Sequence, residues 1–235
     1  TIGYNLSSEQ GIAAHVMAAV TGTAAEKDFI MRRQSEDKKK AIFEAAIALI
    51  ADGGLAGISM SKLAKKSGVP QATMYVYFSS KEQLLREVYE YTEKFICHYL
   101  AEGLDMDQPV KECFREYYRR LIKLGQEHSD KFLVHEQFLA SMQSQQLALE
   151  QVYVFYEPLY EFVYRGQREG LIKPVAPIAI LSYFSMPLTG LLFGDMIWGN
   201  HPQPDWYEVF FRMSWDAVSI SQNEDGFWSG GKEKE

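Results

Sequence analysis

Hydrogen-bonding side chains recur at short intervals between residues 71 and 77 of the 235-residue sequence, at Gln71, Thr73, Tyr75 and Tyr77. If this segment is a helix, Met74 and Phe78 share an apolar face and the amide and hydroxyl groups point away from it. Such groups can donate to, or accept from, base edges in a DNA major groove. Ser59 and Lys81 open two neighbouring predicted helices, and helix N-termini favour phosphate. These six residues predict a nucleic-acid contact face.

Two short helices are needed to hold that face rigidly. A first helix over 60–67 follows the capping residue Ser59 and has apolar residues at helical spacing. Gly68 forms the turn, and Pro70 suits the first position of a second helix that ends near Phe78. This layout is typical of a helix-turn-helix, whose second helix enters a major groove about 12 Å wide.

Helical spacing continues along the rest of the chain, without an alternating strand pattern of useful length. Ser35 is the predicted cap of the helix before the helix-turn-helix. Ser79 and Glu82 form a capping-box pattern that opens the helix after it. Pro158 predicts a kink in a later helix. The predicted helices, which together indicate an all-α fold, span 35–51, 60–67, 70–78, 81–104, 109–128, 129–143, 145–168, 175–199 and 205–221.

The charge is divided unevenly along the chain. The segment 32–85 holds nine basic and five acidic residues, a net charge of +4, whereas the whole sequence carries −7 and has a pI of about 5.4. An acidic average alone argues against a nucleic-acid partner. A small basic module attached to a larger acidic body is instead consistent with DNA binding by the module.

Two stretches together resemble the TetR family of bacterial transcriptional regulators: ISMSKLAKKSGV over 58–69 and TMYVYFSSKEQLL over 73–85. The resemblance implies a three-helix DNA-binding domain, contacts through the six residues named above, and a helical domain that binds a small molecule and forms a homodimer. It also implies a palindromic double-stranded DNA operator and, as the most common behaviour, repression. Pro70, Ala72 and Val76 depart from the family pattern beside the recognition face, so no operator sequence is implied.

The chain is accordingly divided into an N-terminal extension (1–34), a helix-turn-helix domain (35–85), an effector-binding and dimerisation domain (86–221) and a C-terminal tail (222–235). Of the 32 aromatic residues, 26 follow residue 86, which favours an aromatic effector pocket. A cationic effector would need a buried carboxylate, for which Asp195 or Glu157 are candidates. The predicted pocket residues are Phe95, Tyr118, Phe138, Phe155 and Tyr183.

The segment 175–199 is apolar over a length that could span a bilayer, with Asp195 as its single charge. Its two prolines, Pro177 and Pro187, and its lack of basic flanks fit a membrane helix poorly. In the TetR family the last two long helices form the dimer interface, and no membrane partner is expected. The predicted interface residues are Leu181, Leu188, Leu191, Leu192, Phe210 and Phe211.

The sequence gives little support for a catalytic or metal-binding site. Cys97 and His98 are neighbours on a predicted helix and point in different directions, so they and Cys113 predict no metal site. His128, His135 and Glu136 are close in sequence, which a solvated helix end explains equally well. We expect no cofactor and no enzymatic activity. The two cysteines and the absence of a signal-peptide pattern favour a cytoplasmic protein. The alternative is a helical small-molecule carrier or enzyme with no role in DNA binding.

Overall fold

The fold is described from a computed structural model, over residues 24–141, 154–199 and 203–220. Within these ranges the chain is almost entirely helical, with an isolated antiparallel bridge between Ile172 and Ser219. The described helices are α1 (Ala24–Gly53), α2 (Met60–Ser67), α3 (Gln71–Tyr77), α4 (Lys81–Ala101), α5 (Val110–Glu127), α6 (Ser129–Ala140), α7 (Glu157–Arg168), α8 (Pro177–Trp198) and α9 (Pro204–Val218), with 3₁₀ turns at Leu55–Gly57 and Val154–Tyr156. The all-α prediction is confirmed.

The prediction that the first helix starts at Ser35 is wrong. Ser35 lies inside α1, which begins at Ala24 and continues for 30 residues. The eleven residues before Ser35 contain neither proline nor glycine, so nothing stops the helix from extending past a polar serine. Most of the predicted extension, and the tail at 222–235, lie outside the described residues.

Two other details of the helix ends differ from the prediction. Ser80, rather than Ser79, caps α4, because the Ser80 Oγ accepts a hydrogen bond from the Gln83 amide at 3.2 Å. The Gln83 side chain in turn accepts from the Ser79 amide at 2.8 Å, so the reciprocal cap is formed one residue later than predicted. Pro158 lies in the first turn of α7 and begins the helix instead of kinking it.

Two hydrophobic clusters organise the molecule. The first contains the apolar faces of α1, α2 and α3, the first half of α4, and Val134 and Phe138 from α6. The second contains the last turns of α4 together with α5, α7, α8 and α9, and is rich in aromatic residues such as Phe114, Phe162 and Phe184. Helix α4 passes through both clusters, and Phe155 and Tyr156 pack against both. The two parts of the molecule are therefore joined by shared helices and not by a flexible linker.

Helix α8 is apolar on all sides, but only part of it is buried. The stretch Pro177–Met196 is the one described segment long and apolar enough to cross a membrane, and 33% of it is buried within the chain. One side packs against α5, α7 and α9. The opposite side leaves Tyr183 and Met186 exposed.

Candidate nucleic-acid interface and effector cavity

A rigid turn orients α3. The Ser59 Oγ caps α2 by accepting from the Lys62 amide at 3.3 Å. At the other end, Gly68 adopts a left-handed conformation (φ +70°), which a residue with a Cβ atom adopts only with strain. The Ser67 hydroxyl donates to the Leu63 carbonyl at 2.8 Å and accepts from the Val69 amide at 3.2 Å. The backbone between α2 and α3 is thus fixed by short-range hydrogen bonds.

Helix α3 buries one side and exposes the other. Met74 and Phe78 are fully buried, as the sequence predicts. Tyr75 is 52% exposed and Val76 is 81% exposed. Gln71 is also exposed, whereas Thr73 and Tyr77 are partly buried. A helix whose buried side is so completely packed presents its other side to a partner without needing to rearrange.

The turn between α3 and α4 is tied back to α1. The side-chain amide of Gln83 donates a hydrogen bond to the Glu87 carboxylate at 2.9 Å, and the Lys39 ammonium of α1 donates to the same carboxylate at 3.2 Å. The Lys39 ammonium also lies 5.4 Å from the centre of the Phe78 ring. Lys81, at the start of α4, is therefore carried on a helix N-terminus that α1 holds in position. Exposed lysines near this region include Lys38, Lys40, Lys65 and Lys66.

A cavity of about 360 Å³ lies in the helical body, between α4, α5, α6 and α8. Most of its wall is apolar, and its charged groups are two glutamates and one histidine. Tyr117 donates or accepts a hydrogen bond with Ser185 at 2.8 Å beside it. The lining residues are Tyr89, Glu93, Ile96, Leu100, Tyr117, Leu121, Leu124, Phe132, His135, Glu136, Leu139, Tyr156, Ile178, Leu181, Ser182, Ser185, Met186 and Thr189.

A hydrogen-bonded cluster centred on Glu93 forms one part of the cavity wall. Glu93 is only 1% exposed, and its carboxylate lies 2.5 Å from the His135 Nδ1 and accepts from the Tyr156 hydroxyl at 2.8 Å. Burial works to lower the pKa of His135, but Glu93 and Glu136 outweigh it and raise that pKa above its usual value. Burial and Glu93 raise the pKa of Tyr156, which keeps its hydroxyl protonated as a donor. The interpretation of His135 and Glu136 as a solvated helix end is therefore wrong.

None of the five predicted pocket residues lines this cavity. Tyr118 packs between Phe184 and Phe211 in the second cluster, and Phe138 packs against Tyr89 in the first. Phe95 packs edge to face against His128. The Phe155 backbone carbonyl accepts a hydrogen bond from the Cys97 thiol. Tyr183 is exposed to solvent. The neighbouring positions Tyr117 and Tyr156 line it instead. Helical periodicity gives the apolar side of each helix but cannot say which part of that side meets a void.

Most of the predicted dimer residues lie inside their own chain. Leu181, Leu188, Leu192 and Phe211 are each at most 3% exposed. Leu191 and Phe210 are partly buried. The apolar side chains that α8 and α9 leave exposed are others, one or two helical turns apart: Tyr183, Met186, Trp206, Val209 and Met213. Because α8 is apolar on every side, its sequence does not reveal which side faces outward.

Neither carboxylate suggested for a cationic effector, Asp195 or Glu157, lines the cavity. Over the described ranges, no three His, Cys, Asp or Glu side chains are grouped so as to hold a metal ion. Burial raises the pKa of Cys97 to about 12, and Glu93 adds to the shift, so this thiol stays protonated at neutral pH.

A helix-turn-helix with an exposed second helix, attached to a helical body that holds a cavity, is an arrangement typical of helix-turn-helix DNA-binding proteins. Residues 42–88 match the family model described as "Bacterial regulatory proteins, tetR family". An uncharacterized HTH-type transcriptional regulator of Haemophilus influenzae is 32% identical over 98 residues, which cover 42% of this chain and 52% of that protein. The chain thus aligns with about half the length of that relative.

Solved structures extend the likeness to the helical body. A TetR family transcription regulator from Marinobacter aquaeolei is 28% identical with a TM-score of 0.71, covering 81% of this chain and all of that one. A TetR family protein from Vibrio parahaemolyticus is also 28% identical, with a TM-score of 0.68 over 78% of this chain and all of that one. The chain is thus similar to the tetR family of bacterial regulators over residues 42–88, and over most of its length it is similar to two TetR family regulators of known structure.

Proposed function

We propose that the protein is a homodimeric transcriptional repressor that a small hydrophobic or aromatic effector releases from a palindromic operator. The observation that carries this proposal is the contrast on α3, where Met74 is fully buried and Tyr75, on the adjacent side, is 52% exposed. Because Tyr75 and Gln71 are exposed, their side chains add little to the packing of α3 within its own chain. Contact with base edges in a major groove explains them.

The proposed contacts combine base reading and phosphate binding. Gln71, Thr73, Tyr75 and Tyr77 face the bases, while Ser59 and Lys81 bind the backbone from two helix N-termini. Tyr77 is partly buried and its ring lies 6.2 Å from that of Phe78, so it contributes packing as well. Val76, the most exposed apolar side chain of α3, adds a surface for a thymine methyl group that the sequence prediction omitted.

Self-association is proposed through the outward faces of α8 and α9. Trp206, Val209 and Met213 recur at three- and four-residue spacing along α9. On the neighbouring helix α8, Tyr183 is exposed, and Met186 is exposed where it also lines the cavity. Exposed large apolar side chains on two neighbouring helices fit an interaction site. A second copy of the chain covers it without a membrane, and we place the protein in the cytoplasm in the same proposal.

Effector release is proposed to act through α6, which contacts both parts of the molecule. His135 and Leu139 line the cavity. On other sides of the same helix, Lys131 pairs with Glu44 of α1 at 3.3 Å, and the Gln137 side chain donates to the Ile50 carbonyl at 3.1 Å. An effector that shifts α6 therefore alters the position of α1. Release requires only that the effector bind the DNA-incompetent arrangement more tightly.

Binding-site selection from random-sequence duplex DNA tests the proposal. The full chain should enrich a palindromic sequence and bind it with an affinity that falls steeply as salt rises, because phosphate contacts release counterions. Failure to enrich any sequence, with no DNA affinity at low salt, would favour the alternative of a helical small-molecule carrier.

A further inference from the structure

The charged groups that line the cavity are mostly acidic. They come from two helices: Glu93 from α4, and His135 and Glu136 from α6. Among the described residues that line the cavity there is no lysine or arginine. His135 is already engaged, because its Nδ1 lies 2.5 Å from the Glu93 carboxylate. An anionic ligand would therefore find two carboxylates and a histidine whose charge is neutralised.

Glu136 differs from Glu93 in its surroundings. The Glu93 oxygens are occupied by His135 and the Tyr156 hydroxyl. Glu136 is less deeply buried, lines the same cavity, and has its pKa raised by burial. A carboxylate that loses water in this way is stabilised by an incoming cation.

The remaining wall fits the rest of such a ligand. Aromatic rings of Tyr89, Tyr117, Phe132 and Tyr156 line the cavity, and ring faces attract organic cations. Burial raises the pKa of Tyr117 to about 12, so this side chain adds no charge. The wall also includes Leu100, Leu121, Leu124 and Ile178, whose apolar side chains suit a hydrocarbon tail.

We infer that the effector is an amphipathic organic cation, whose amine or quaternary ammonium group binds beside Glu136 and whose apolar tail fills the leucine-lined part of the cavity. The inference rests on the proposed function, since it names the ligand class of the proposed effector cavity. It assigns a specificity role to Glu136 and leaves Glu93 as the residue that positions His135 and Tyr156.

Three probes with the same ten-carbon tail test the inference: decyltrimethylammonium, decanoate and 1-decanol, each titrated into the full chain by calorimetry below its micellar concentration. We expect the ammonium probe to bind at least about tenfold more tightly than the other two, as expected for a direct interaction with a charged group. Equal affinity for all three, tighter binding of decanoate, or no binding of the ammonium probe would overturn the inference.

Variants locate the site. Glu136→Gln should weaken binding of decyltrimethylammonium roughly tenfold and leave 1-decanol unchanged. Glu116→Gln is the control, because Glu116 lies on the surface of α5 paired with Arg119 at 3.3 Å. Unchanged affinity of the ammonium probe for Glu136→Gln would contradict the assignment, and the wild-type comparison stands even if this variant folds poorly.

DNA binding is measured separately on the ligand-free chain. If the inferred ligand class is wrong but the proposed function is right, the protein binds its selected DNA and does not bind the ammonium probe. Failure of the proposed function leaves a protein that binds the probe but no DNA.

Discussion

The residues of α3 that form the proposed DNA contact face differ in their exposure to solvent. Positions only two residues apart differ in surroundings, with Met74 fully buried and Val76 81% exposed. Tyr75 and Tyr77, which look equivalent in the sequence, also differ, since only Tyr75 is mainly in solvent. The sequence prediction grouped these two tyrosines because helical spacing separates the apolar side from the polar side but does not fix how far the neighbouring helices cover each edge.

Tyr75→Ala and Lys81→Ala should each weaken binding to the selected operator, by roughly 1–3 kcal/mol for a base contact. Lys81→Ala should also reduce the salt dependence of the affinity by about one counterion, because it removes one phosphate contact. Fluorescence anisotropy at several salt concentrations measures both effects. Tyr164→Ala and Lys123→Ala are the controls, since these exposed residues lie on α7 and α5. Wild-type affinity in both test variants would contradict the contact face.

Met74→Ala and Val76→Ala form a matched pair on one helix. Met74→Ala should lower the free energy of unfolding by about 2–5 kcal/mol, because it opens a cavity in a fully packed site. Val76→Ala should leave stability within about 0.5 kcal/mol, because the side chain is 81% exposed, and should reduce operator affinity, because the proposed arrangement turns this side chain toward the DNA. Urea unfolding and anisotropy separate the two outcomes. Similar losses of stability in both variants would refute the packing of α3.

At the scale of elements, the order and type of helices could be predicted and their ends could not. The helix-turn-helix was predictable because Ser59, Gly68 and Pro70 act locally. The start of α1 was not, because Ser35 can cap a helix or lie within one, and the preceding residues decide which. The cavity was not predictable either, since it depends on where α4, α5, α6 and α8 fail to fill space between them.

Helix α6 gives a prediction about pH. The pKa of His135 is raised, so the folded chain holds this proton more tightly than the unfolded chain. The stabilisation is fully present below about pH 6.5 and is lost as pH rises through the folded pKa. Between pH 6 and pH 9 the free energy of unfolding should therefore fall, by roughly 1–2 kcal/mol from this interaction.

Urea unfolding across that pH range measures the effect. His135→Gln should flatten the profile, because glutamine can still donate to Glu93 but does not titrate. His98→Gln is the control, since His98 is exposed near the end of α4. A profile that keeps its full slope in His135→Gln would show that another group carries the pH dependence.

At the scale of the whole molecule, two hydrophobic clusters share α4, and the Glu93 cluster lies where they meet. Phe155 and Tyr156 contact both clusters, so a ligand beside Tyr156 would lie at the boundary between the two clusters. The domain boundary predicted after residue 85 is accordingly not a break in packing, because Val88 and Tyr89 still belong to the first cluster.

At the scale of the whole molecule, the proposed dimer can be tested by substitutions in its interface. The double variant Val209→Glu with Met213→Glu should sediment as a monomer, because it puts two charges into the proposed apolar interface. The monomer should bind the palindromic operator at least about tenfold more weakly, since the two half-sites are no longer engaged together. Tyr164→Glu, which adds one such charge at an exposed position of α7, should remain dimeric. A dimeric double variant would place the interface elsewhere.

The central claim is that two copies of α3 read DNA together, and footprinting on the selected operator tests it most directly. The account predicts two protected half-sites related by a twofold axis, with centres about one helical turn, ~34 Å, or somewhat more apart. A single protected segment without symmetry, or no protection at concentrations that saturate other DNA-binding proteins of this size, would contradict it.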